Sequence, residues 1–111
     1  MASALITLPT RIRRAEVFTV RALIQHPMET GYRRDAAGVL LPRDLIRRFE
    51  CERIEGGTRT RMFAATLHAA MAANPLIAFP LRLDADCTLE FRWTGDNGFA
   101  HRESRAVALA P

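Results

Sequence analysis

A chain of 111 residues with 49% apolar composition is long enough for one domain with a genuine core, and it contains no apolar run long enough to cross a membrane. Sixteen basic residues stand against 12 acidic ones, for a formal charge of +4. Every basic residue is arginine, and this uniform usage is the mark of a general arginine preference rather than of a recruited anion site. The tightest groups are Arg11, Arg13 and Arg14, then Arg33 and Arg34, then Arg47 and Arg48, and no aromatic residues interleave with them as stacking platforms. That pattern argues against nucleic-acid binding.

Ala4 to Leu8 reads as a short extended segment closed by Pro9, followed by a basic turn from Thr10 to Arg14. The Ala2 to Leu8 stretch has its charges after it rather than before it, unlike a secretory signal, so composition alone points to the cytoplasm. From Glu16 to Gln25 the chain alternates, with Phe18, Val20, Ala22 and Ile24 on one face, which predicts a strand half buried in a core. Pro27 stops that run. Gly31 and the Asp35 to Gly38 segment then predict a loop with a hairpin tip before Val39, Leu40 and Leu41.

Leu45 to Ile54 is extended again, with Phe49 and Cys51 inward and Arg48, Glu50 and Glu52 outward. Gly56 and Gly57 supply the next turn. Thr60 to Leu67 is read as a strand and Ala69 to Ala73 as a helical turn ended by Asn74 and Pro75. Two clear alternations follow, Ile77, Phe79, Leu81, Leu83 and then Leu89, Phe91, Trp93, and Gly95-Asp96-Asn97-Gly98 suits a tight hairpin into a last strand from Phe99 to Leu109. Six or seven short strands at such intervals predict a single all-β domain over residues 1–111, an immunoglobulin-like antiparallel β-sandwich of about seven strands. Trp93 is expected between the sheets.

The inventory of reactive groups is thin. His26, His68 and His101 are far apart in sequence, without a nucleophile signature or metal-ligand spacing. Asp84 and Asp86 fall in a turn and read as solvated, while Cys51 and Cys87 lack the CxxC arrangement and read as isolated buried thiols. No catalytic, metal or cofactor-binding residue is assigned, and a small sandwich of this kind is expected to act by presenting a surface. A partner subunit is one way to cover its strand edges.

One segment is more than turn punctuation: His26-Pro27-Met28-Glu29-Thr30-Gly31, followed by Arg33 and Arg34. This string, with Pro42-Arg43, Phe49 to Cys51, Met62 to Leu67, Ala72 to Pro75 and Phe91 to Gly98 in order, resembles the SoxZ family over nearly the whole chain. The sequence departs from the family pattern at Glu55-Gly56-Gly57, at Ala69 and at Trp93 to Gly98, and Cys87 has no counterpart role.

The resemblance implies a non-catalytic subunit that forms a heterodimeric sulfur carrier with a cysteine-bearing SoxY partner during thiosulfate oxidation. It also implies transient contact with other sulfur-oxidation enzymes, without nucleic acid, membrane or cofactor. The chain ends at Val107 to Pro111 without a glycine-rich reactive arm, as the partner-binding half would. Family members act in the periplasm, exported with the partner, which replaces the cytoplasmic expectation. His26, Pro27, Met28, Glu29, Thr30 and Gly31 are the candidate partner-interface or presentation loop. Two rival expectations are a free-standing module for anions or sulfur compounds and a cryptic enzyme.

Overall fold

A computed structural model describes residues 3–68 and 72–111 of the chain. The described residues form seven strands: β1 (Ala4–Thr7), β2 (Phe18–Ile24), β3 (Ile46–Glu55), β4 (Thr58–Thr66), β5 (Leu76–Leu81), β6 (Cys87–Gly95) and β7 (Ala100–Val107). All pairings between them are antiparallel, and they form a three-stranded sheet, β1-β2-β5, and a four-stranded sheet, β4-β3-β6-β7. The two sheets pack as a sandwich. No helix among the described residues is long and apolar enough to cross a membrane.

The core follows from the period-two alternation of the strands. On β2, Phe18, Val20, Ala22 and Ile24 are buried; on β3, Ile46, Phe49 and Cys51; on β6, Leu89, Phe91 and Trp93. Phe49 stands at the centre, within 5.1–6.4 Å of the rings of Trp93, Phe79, Phe63 and Phe91. Phe79 comes from the opposite sheet, so this aromatic cluster ties the two layers together.

The sequence-based elements shift by a few residues at their ends, with two additions. Ile12, assigned to a basic turn, is buried, because Ala110 N–H donates to its carbonyl and draws the segment onto the end of β7. The GDNG link contains a short 3-10 turn, Asp96–Gly98, with Asn97 at φ 58°. Cys51 is a buried free thiol, as expected, but Cys87 is only half buried. The helical turn expected at Ala69 to Ala73 falls largely outside the described residues.

Between β2 and β3 the chain makes an arm. Glu29 and Asp44 exchange both main-chain hydrogen bonds at 2.8 Å, Leu41 N–H donates to Arg33, and Arg34 pairs with Leu40. The Asp35 carboxylate accepts the Ala37 and Val39 N–H groups at 2.9 Å, closing the tip as an Asx turn. Every residue from Tyr32 to Leu40 is exposed. The molecule measures 59 × 24 × 21 Å with a radius of gyration of 16.4 Å, above the roughly 13 Å of a compact domain of this length.

Candidate functional site

The six residues singled out in the sequence form the root of the arm. His26 is buried, and its main chain is clamped by Asn74, whose side-chain oxygen accepts the His26 N–H at 2.9 Å and whose N–H donates to the His26 carbonyl at 2.7 Å. Its ring Nδ1 accepts the Met28 N–H at 3.0 Å, which places the proton of the neutral ring on Nε2. Nε2 lies 3.5 Å from an Asp44 carboxylate oxygen but makes no hydrogen bond. The edge of the ring meets Phe99 at 4.9 Å.

Pro27 is exposed, whereas Met28 turns inward at φ 53° and its sulfur receives the Ile46 N–H at 3.4 Å. Glu29 binds the Arg33 guanidinium through both oxygens. Thr30 Oγ1 accepts the Tyr32 N–H at 3.4 Å, and Gly31 adopts φ 92° with Arg43 close beside it. The segment therefore anchors the arm: Met28 is buried on the core, and the exposed arm leaves it after Gly31.

The second half of the root is Asp96, which the sequence suggests only as a turn residue. Its carboxylate accepts the Leu45 N–H at 3.1 Å, receives two Arg47 bonds at 3.1 and 3.3 Å, and faces Arg43 at 3.4 Å. The Arg47 hydrogen bonds, helped by the Leu45 N–H and the charges of Arg47 and Arg43, hold the Asp96 pKa below its ordinary 3.8, against some desolvation. The Arg33 hydrogen bond likewise lowers Glu29 from 4.5.

On the outer face of the four-stranded sheet the register gathers arginines that are scattered in sequence. Glu50 meets Arg92, Arg61 and Arg48 at 3.2, 3.3 and 3.7 Å, and Arg59 bridges Glu52 and the buried Glu90 at 3.2 and 3.0 Å. Arg92 chiefly depresses the Glu50 pKa. Each exposed pair contributes little alone.

Acidification tests these carboxylates together. Their folded pKa values are depressed, so ionised Glu29, Glu50 and Asp96 stabilise the fold above the ordinary 3.8–4.5. That contribution disappears as pH falls through the depressed values. The urea midpoint is expected to fall from about pH 5 downward, through and below the ordinary carboxylate range, and Glu50→Gln with Asp96→Asn to flatten the decline while lowering the neutral-pH plateau.

Of the six large apolar side chains exposed among the described residues, the arm carries three, Tyr32 at 89%, Val39 at 60% and Leu40 at 48% exposure, the others being Leu5, Val17 and Leu76. The Arg34–Leu40 pairing puts Tyr32, Arg34 and Leu40 on one face of the hairpin. Tyrosine and arginine around an aliphatic residue is the composition of protein-binding centres. The sequence reading singled out residues 26–31 as a candidate interface or presentation loop and did not include Tyr32 or Leu40, which no periodicity distinguishes from core residues.

Of the histidines, His68 is exposed, while His26 and His101 line one cavity. Among the described residues no three His, Cys, Asp or Glu side chains converge to hold a metal ion. Burial pushes the Cys51 thiol up to about 12, leaving it protonated and inert.

A family model described as sulphur oxidation protein SoxZ matches residues 6–106 of the chain. No curated protein matches it. Among solved structures, a superoxide reductase (neelaredoxin) from Ignicoccus hospitalis is similar with TM-score 0.73 and 17% identity, over 97% of this chain and 80% of that one. The superoxide reductase from Nanoarchaeum equitans gives TM-score 0.67 and 11% identity over 95% and 91%. At such identities the likeness is one of fold.

Proposed function

The chain belongs to the SoxZ family of sulphur oxidation proteins, and from that premise we propose that it is the non-catalytic half of a sulfur carrier, binding a cysteine-bearing SoxY-like subunit as a heterodimer. In this reading the partner carries the sulfur covalently, and this chain orients it for the enzymes that oxidise and release that sulfur. The pair acts in the periplasm, exported together.

The observation that carries the reading is the arm. A hairpin exposed on every residue from Tyr32 to Leu40, pinned at its base by Glu29, Asp44 and Asp96, presents Tyr32 and Leu40 on one face. In an isolated chain such an arm costs ordering entropy and buries nothing in return, which burial against a second chain would offset. A small domain also gains stability from a permanent partner.

The test is co-expression with a SoxY-like subunit followed by size measurement and titration. A stable 1:1 complex is expected, and Tyr32→Ala with Leu40→Ala is expected to weaken it by about 2 kcal/mol or more, roughly thirtyfold, without lowering the melting temperature of the free chain. A chain that stays monomeric beside the partner, or that turns over a sulfur substrate alone, would falsify the proposal.

A further inference from the structure

The cavity that joins His26 to His101 holds about 690 Å³ and is lined by Gln25, Pro27, Asp44 and Gly98 to Ala100 as well as the two histidines. A smaller one of about 130 Å³ shares Ala100 and His101 with it and continues to Arg92 and Arg102. Together they make a groove along the start of β7. β7 pairs only with β6, and among the described residues no main-chain bond occupies its other side between Ala100 and Arg105. An antiparallel edge strand offers N–H and C=O groups outward at alternate residues.

We propose that this groove takes an extended, acidic peptide segment of a partner chain as an added strand beside β7. At the deep end the buried His26 Nε2–H lacks a hydrogen-bonded acceptor, and the Asp44 carboxylate lies 3.5 Å from it. A donor beside an acceptor matches the C=O and N–H of a peptide group, whereas a simple anion would meet Asp44 and a simple cation would meet an N–H. At the far end Arg102 is exposed and makes no ion pair among the described residues, so an acidic side chain belongs over it.

Selectivity comes from the inward face of β7. His101, Glu103 and Arg105 point to the core side of the sheet, where they bond one another at 3.0 and 3.3 Å beside Trp93. Charges pointing inward on an edge strand discourage indiscriminate pairing, so the edge admits a strand whose contacts are mainly main chain. Recognition would then combine main-chain pairing with alternate side-chain contacts. The groove touches the arm at its root, through His26, Pro27 and Asp44, and is not lined by Tyr32 or Leu40, so failure of peptide binding here leaves the subunit pairing proposed above untouched.

The probe is a capped six-residue peptide alternating valine and glutamate, titrated into the full chain and followed by amide and imidazole NMR. Saturable shifts confined to Phe99–Ser104 and the His26 ring are expected. N-methylation of alternate amides should abolish them, lysine in place of glutamate should weaken binding about fivefold, and Arg102→Glu should reverse that charge preference. Arg102 is exposed, so this variant keeps the fold. Shifts that survive N-methylation, that map to the Tyr32 arm, or that never appear overturn the proposal. So does sedimentation showing that a second copy of this chain occupies the edge.

Discussion

Phe49→Ala should lower the unfolding free energy by about 3–5 kcal/mol, a large share of the roughly 5–15 kcal/mol that holds a domain together. Phe49 is fully buried on β3, which pairs with both β4 and β6, and its ring touches aromatic neighbours in both sheets, including Phe79 of β5 across the sandwich. Removing it opens a cavity where the layers meet, and the four large rings around it cannot collapse into the space without leaving their own rotamers. Urea denaturation measures the loss. Tyr32→Ala, at 89% exposure, is the control and should stay within about 0.5 kcal/mol. Equal effects from the two would mean that Phe49 does not organise the core.

Gly95→Ala is the second large effect, and its cause is space rather than dihedral strain. Gly95 has φ −166°, an extended value open to any residue. A methyl group there would collide with the Leu45 carbonyl oxygen and sit 2.8 Å from Ile46 Cα. Both are main-chain atoms, one on Ile46, which pairs with Gly95, and one on the residue just before it, so neither can swing aside. The β3–β6 register would have to open at the place where Asp96 holds Leu45, and a cost of about 3 kcal/mol is expected. Gly98 makes the opposite case: at φ 72° with nothing near its missing side chain, Gly98→Asn should cost under about 1 kcal/mol, because asparagine tolerates left-handed backbone. Unfolding midpoints of the two variants separate the causes. Because Asp96 also pins the arm, Gly95→Ala should weaken the partner binding proposed above more than its lost stability alone explains.

The layering of this protein was legible in its residues. Phe18, Val20, Ala22 and Ile24, or Leu89, Phe91 and Trp93, can satisfy a core in only one way, because side chains on an extended strand alternate with a period of two. Turn residues such as Asp35 to Gly38 and Gly95 to Gly98 likewise declare their role through the backbone geometry they permit. The six-residue block at His26 could be picked out as unusual, and the ordered motifs around it pointed to the family.

What the linear chain could not show is which distant residues share a surface. Arg59 reaches Glu90, Asp96 reaches Leu45 and Arg47, and His26 and His101 meet at one groove only after the register of β3, β6 and β7 is set. Tyr32 and Leu40 read as ordinary apolar residues until the hairpin is seen to leave them uncovered. Composition and periodicity determined a two-layer β fold, because burial along a strand is a local pattern. Tertiary structure alone decided where the arm stands and where the edge is free, because pairing depends on contacts between residues that the sequence keeps far apart.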